Sequence, residues 1–191
     1  IAALHKTRLE SVGAAGSELK AIISRALAAL SRDLYSGAGA LLAELVQNAD
    51  DATFPHNYQP RLSISLRQGG LLVTVNEVGF SASDVRAICD LGASSKDISS
   101  TAETIGRKGL GFKSVFAVSD TPYVISNGYQ FKFDVGGSLG LFGALVPIWV
   151  EDTELSQTLP SPLGGHRQQS HGDGTLFWLP VRGLPPSLAL P

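Results

Sequence analysis

A chain of 191 residues that is 43% hydrophobic is long enough to bury one good core, and its 15 basic against 17 acidic side chains leave a net charge of −2. That balance excludes the one-sided basic surface of a phosphate-backbone binder, so no direct nucleic-acid partner is expected. No apolar run reaches the roughly 20 residues of a membrane span, so no membrane partner is expected either.

The single cysteine, Cys89, excludes an internal disulfide and fits a reducing intracellular setting, cytoplasmic or nuclear. It reads as a small buried hydrophobe. The chain has no methionine and opens at Ile1, as expected of a piece of a longer protein. It reads as one domain over residues 1–191.

Residues 1–16 read as a flank. From 17 to 34, Leu19, Ile22, Ile23, Ala26, Leu27 and Leu30 recur every three or four residues, which predicts a structural amphipathic helix. After the breaker Ser36-Gly37-Ala38-Gly39, a second helix is predicted over 40–53, stopped by Pro55. Strands over 61–66 and 71–75 turn at Gly69-Gly70, and a short helix over 83–91 follows, capped by Ser81 or Ser83.

Residues 92–108 are small, polar and aperiodic, a loop that feeds into Gly109-Leu110-Gly111 and another helix. Strands are predicted over 123–126, 129–135 and 175–181, the first two joined by the hairpin signal Asn127-Gly128. The Gly/Pro-rich stretch 136–173 reads as an insertion or surface excursion. The architecture is α+β, with helices against a mixed, mostly antiparallel sheet.

Two stretches carry chemistry. On a helix, Glu44, Asn48 and Asp51 at i, i+4 and i+7 share one face, while Leu41, Leu42, Leu45, Val46 and Ala49 are left to pack. A carboxamide oxygen is a hard metal ligand and a carboxylate can take a proton from water, so this face suits metal-assisted phosphate chemistry; a solvated polar face is the plain alternative. The second stretch, 104–114, is a glycine-rich turn opening a helix, where Gly106, Gly109 and Gly111 let the backbone approach phosphate oxygens and Arg107, Lys108 and Lys113 add charge. A plain tight turn is equally consistent with it. Phe112 between Gly111 and Lys113-Ser114 excludes the P-loop spacing. His5, His56, His166 and His171 lack ligand spacing and read as surface residues, and Trp149 and Trp178 as strand or core packing.

In this order, about 60 residues apart, the two stretches resemble the helix and glycine-rich motifs of the GHKL superfamily of gyrase, heat-shock chaperone, histidine kinase and MutL-type ATPases. Between them 75–81 sits where the family has an Asp-x-Gly-x-Gly turn, and 173–177 resembles its closing Gly-Thr strand. The wording is closest to the NO VEIN and sacsin-like group.

The resemblance implies a Bergerat-type two-layer sandwich with helices packed on one face, and a pocket for ATP and Mg²⁺. It makes Glu44 the general base, Asn48 the metal ligand and Asp51 a pocket residue. Gly109, Leu110 and Gly111 would offer amides to the phosphates, Gly106 and Phe112 would belong to the same nucleotide site, 92–108 would form a lid, and Lys96 in it is either a phosphate contact or a solvated lysine. At the base end Val75 stands where the family has its adenine-binding aspartate, so Asn76 or Glu77 would substitute only through a shift or bulge. Gly79 shapes the turn, Phe80 stacks on or packs under the base, and Thr175 either contacts adenine or simply starts a strand. The function implied is a slow ATPase within a chaperone-like or regulatory protein. The alternative is a non-hydrolysing nucleotide sensor or scaffold with a degenerate adenine site. Partners implied are ATP, a protein client, and a second copy through regions outside this chain.

Overall fold

The computed structural model describes residues 1–34, 38–90, 111–160, 174–181 and 183, with the backbone alone over 26–34 and at 38. The flank is itself helical: α1, Ala2–Ala14, turns one side toward the body, where Ile1 and Leu4 pack on the core and His5 Nδ1 meets the Pro147 carbonyl at 3.0 Å. One turn on, Arg8 pairs with Asp90. His5 is thus a docking residue rather than a free surface one.

Helix α2, Ser17–Leu34, spans the predicted range, and α3 runs Ala38–Asp50. Leu19 and Ile22 of α2 remain 51% and 48% exposed, so the apolar stripe is not wholly covered at its N-terminal end. Helix α4, Ala82–Cys89, starts on a capping box in which the Ser81 hydroxyl accepts from the Asp84 amide and the Asp84 carboxylate accepts from the Ser81 amide. After Gly111 the chain winds as a 3₁₀ helix, Gly111–Ala117, rather than an α-helix. Three residues per turn align Phe112 with Val115 and Lys113 with Phe116, which puts both pairs against the core.

Among the described residues six strands form one sheet: β1 Leu62–Arg67, β2 Gly70–Val75, β3 Tyr123–Ser126, β4 Tyr129–Lys132, β5 Ile148–Trp149 and β6 Thr175–Pro180. Their order is β1-β2-β6-β3-β4-β5, and every pairing among the described residues is antiparallel, where a mixed sheet was expected. The β3–β4 turn follows its Asn-Gly signal, with φ of 45° at Asn127 and 79° at Gly128. β5 and α5, Asp152–Thr158, lie within the stretch read as an excursion. That stretch therefore supplies a sheet edge and a helix.

Register assigns the faces. Val73, Phe177 and Val124 lie opposite one another and face the larger core, with Leu41 and Leu45 of α3, Val85 and Cys89 of α4, and Val115 and Phe116. Their neighbours Leu72, Trp178 and Tyr123 face the other way, onto Val150, which follows β5, and onto Leu155 of α5. The expectation of helices on one face alone is corrected here: α5 covers part of the second face. Glu154 fixes it there, accepting from Lys132 Nζ at 2.6 Å and the Tyr123 hydroxyl at 3.1 Å, while Gln130 donates to Asp152 at 2.9 Å.

Candidate functional site

Helix α3 buries Leu41 and Leu45, and the same turn aims Glu44, half-buried, at Gly111. The approach is so close that a Cβ at Gly111 would lie 2.0 Å from Glu44 Oε2. Only glycine permits it, so the carboxylate of one sequence motif rests on the backbone of the other. Asn48 follows one turn later, exposed, and Asp51 stands exposed just past the helix end, its amide bonded to the Gln47 carbonyl at 3.0 Å. Lys96, Gly106, Gly109 and Leu110 lie outside the described residues, as does the whole of the loop 92–108.

Phe112 leaves Gly111 for the core, its ring 5.6 Å from Phe177 and 5.9 Å from Phe133. Phe80 meets the same Phe177 edge-on at 6.2 Å. One chain of rings thus joins the Glu44–Gly111 end to the 75–80 turn. Lys113, expected to add charge near a phosphate, turns inward instead. It is 5% exposed, donates to the Ile88 and Ala144 carbonyls at 2.6 Å each, and lies 4.7 Å from the Phe133 ring centre. Burial pushes its ammonium down to about 7, with the nearby Arg8 charge adding to the fall, while Cys89 and Asp90 oppose it. Burial also drives the Cys89 thiol up to about 11, which leaves it unreactive.

At the base end, Val75 is buried on the helix-covered face beside Thr175. Asn76 points the other way and staples the strand, its Oδ1 accepting from the Arg61 amide at 2.7 Å and its Nδ2 donating to the Gln59 carbonyl at 2.8 Å. That occupies the amide on the backbone. Glu77, two residues beyond Val75, returns to the Val75 side, and Thr175 donates to its Oε1 at 2.5 Å. The chain bends at Glu77 and Val78, just past the end of β2, and the carboxylate reaches Thr175 from that bend. Glu77 was weighed only together with a shift, and strand alternation gives no sign of its direction because it lies past the strand end. Burial raises the Glu77 carboxyl above its ordinary range; the Thr175 bond pulls it back, and the charge of Asp84 adds to the rise.

Ser126 completes this corner and had no signal of its own beyond ending a strand. Its hydroxyl lies 2.6 Å from that of Thr175 and accepts from the Phe80 amide at 2.7 Å. Gly79 makes the turn at φ 83°, packed where a Cβ would lie 2.7 Å from that of Asn127, and Asn127 Nδ2 donates to the Phe80 carbonyl at 3.1 Å. Among the described residues there is no cluster of three or more His, Cys, Asp or Glu side chains placed to hold a metal, and no helix long and apolar enough to cross a membrane.

Comparison with known proteins places these features in a group. The chain is 42% identical to the protein NO VEIN of Arabidopsis thaliana over 164 residues, which is 85% of this chain and 6% of that protein. It is 31% identical to human sacsin over 52% of this chain and 2% of sacsin, and 29% identical to the chaperone protein HtpG of Acinetobacter baylyi over 53% of this chain and 20% of HtpG. The chain therefore spans a small part of the length of each relative. The model of the sacsin domain family matches residues 22–136, more than half of the chain and the part that holds Glu44, Asn48, Glu77 and Gly111. This chain belongs to the sacsin domain family.

Proposed function

We propose that this domain binds Mg-ATP, hydrolyses it slowly, and serves as a chaperone-like or regulatory module of a larger protein. The observation that carries the reading is the seat of the Glu44 carboxylate on Gly111, which unites two motifs far apart in sequence. The likeness to HtpG, a protein named as a chaperone, supports it.

The residues fit the group they would hold. Asn48 offers an exposed carboxamide oxygen, a hard donor suited to Mg²⁺, beside a half-buried carboxylate one turn away. Glu44 orients water and takes its proton; the Gly111 amide, with no side chain to block it, donates to a phosphate oxygen. Bound Mg²⁺ would neutralise phosphate charge. A protein client, and pairing with a second copy through regions outside these 191 residues, belong to the same proposal.

A second reading, nucleotide sensing or scaffolding without turnover, rests on Val75, an apolar residue where the resemblance puts an aspartate. Calorimetric titration with Mg-ATP and a non-hydrolysable analogue tests both. Asn48→Ala is expected to weaken binding tenfold or more, and Glu44→Ala to keep binding while losing about 10²-fold or more in turnover. Absence of saturable binding to the wild type up to millimolar ATP would sink the proposal. Binding without measurable turnover in the wild type would leave the sensor reading standing, and turnover unchanged in Glu44→Ala would remove Glu44 as the base.

A further inference from the structure

We propose that the outer edge of β1 is a docking site for an extended acidic segment of a partner protein, which adds one strand to the sheet. β1 stands at the end of the strand order, and its pairing with β2 determines which of its backbone groups are already used. The Asn76 amide donates to the Arg61 carbonyl at 3.2 Å, so 61↔76 is a hydrogen-bonded pair, and alternation makes 63↔74, 65↔72 and 67↔70 the same. The amides and carbonyls of Leu62, Ile64 and Leu66 therefore point away from β2, along a single edge. Among the described residues nothing is bonded to them. Such a row of unmet donors and acceptors is a template for another strand.

Charge identifies the occupant. Leu62 and Ile64 pack on the core and Leu66 stays 37% exposed, while the side chains at 61, 63, 65 and 67 take the opposite face. Arg61 and Arg67 thus bracket the edge, both exposed, and among the described residues neither is in an ion pair. A second copy of this chain fits poorly, because the two-fold register that uses every free group sets Arg61 of each copy opposite Arg67 of the other. An antiparallel segment with carboxylates at its first and seventh residues turns those two positions from repulsive to attractive, opposite Arg67 and Arg61. Its second, fourth and sixth residues lie beside Leu66, Ile64 and Leu62 and are apolar; its third and fifth meet Ser65 and Ser63 and are polar. Backbone bonds supply the affinity, and the alternating side chains supply the selectivity.

The probe is the peptide Glu-Val-Thr-Val-Thr-Val-Glu with blocked ends, titrated into the 191-residue chain and followed by amide chemical shifts and hydrogen exchange. Saturable binding is expected, with exchange slowed at Leu62, Ile64 and Leu66 and unchanged at Ser63 and Ser65. N-methylation of the fourth peptide residue, whose amide faces β1, should weaken binding at least tenfold, whereas N-methylation of the third, whose amide faces away, should change it little. A peptide with lysine in place of both glutamates should bind at least tenfold more weakly, and the double variant Arg61→Glu, Arg67→Glu should reverse that order. Absence of saturable binding up to millimolar peptide, equal losses from the two N-methyl groups, or equal affinity for the glutamate and lysine peptides overturns the proposal. Self-association of the chain that protects the same three amides overturns it too, by making a second copy the occupant.

Discussion

Gly174→Ala is expected to destabilise the domain by on the order of 3 kcal/mol and to weaken nucleotide binding with it. Gly174 has φ 82°, in the left-handed region, and a Cβ there would lie 1.9 Å from the Val75 carbonyl oxygen and 2.9 Å from the Asn76 Cα. Both are backbone atoms of the adjoining strand end and cannot rotate aside. The conformation alone costs an L-residue about 1–2 kcal/mol, and overpacking adds about 1–3. Relief requires β6 to part from β2 at Val75↔Thr175, which pulls Thr175 from Glu77. Gly69→Ala is the matched control, since its φ is 84° yet nothing lies within 4 Å of an added Cβ. Urea unfolding of the two variants separates conformation from collision, and equal losses in both would show that the Val75 carbonyl yields freely.

Lys113→Ala is expected to cost about 3–5 kcal/mol, among the largest losses of any side chain here. The substitution empties a buried volume and leaves the Ile88 and Ala144 carbonyls without their donor. Lys113→Met restores most of the volume but not the bonds, so it should recover part of the loss. The two variants share a signature in pH. Folding lowers this ammonium from 10.5 to about 7, so between those values the unfolded chain holds the extra proton and wild-type stability rises with pH. The contribution is full above the unfolded value and is lost as pH falls through about 7. Cys89, raised from 9.0 to about 11, acts with the opposite sign at higher pH, which confines the clean comparison to about 7 to 9. Urea midpoints should climb across that window in the wild type and stay flat in Lys113→Met; parallel slopes would refute the buried ammonium.

The parts of this domain that the sequence reveals are those governed by local periodicity. Alternation locates five strands, and the three-to-four spacing of Leu19, Ile22 and Ile23 locates α2 to the residue. Glu44, Asn48 and the glycines stand out because their chemistry is concentrated in short runs. What stays hidden depends on partners distant in sequence. α1 has little amphipathic pattern, and its docking rests on His5 with Pro147 and Arg8 with Asp90, neither of which has a local sign. β5 is two residues long and pairs at a sheet edge, too short for alternation to register. Lys113 reads as a phosphate-binding cation because its neighbours are glycines, whereas three residues per turn carry it into the core. Glu77 stays hidden because it lies in a bend past the end of β2, where alternation no longer says which way a side chain turns.

The strand order also sets a timetable for synthesis. β6 lies between β2 and β3 yet comes last of the described strands, so among the described residues the two halves of the sheet share no strand pairing until residues 175–180 exist. At about 5–20 residues per second, roughly 2–10 s of translation separate the completion of β3 from the start of β6. Throughout that interval a nascent chain carries two bare strand edges, the apolar Leu71–Val75 side of β2 and Val124–Ile125 of β3, each able to recruit a strand from a neighbouring chain. Holding those edges apart falls to whatever meets the chain at the ribosome exit, and the arrival of β6 makes further protection of them unnecessary.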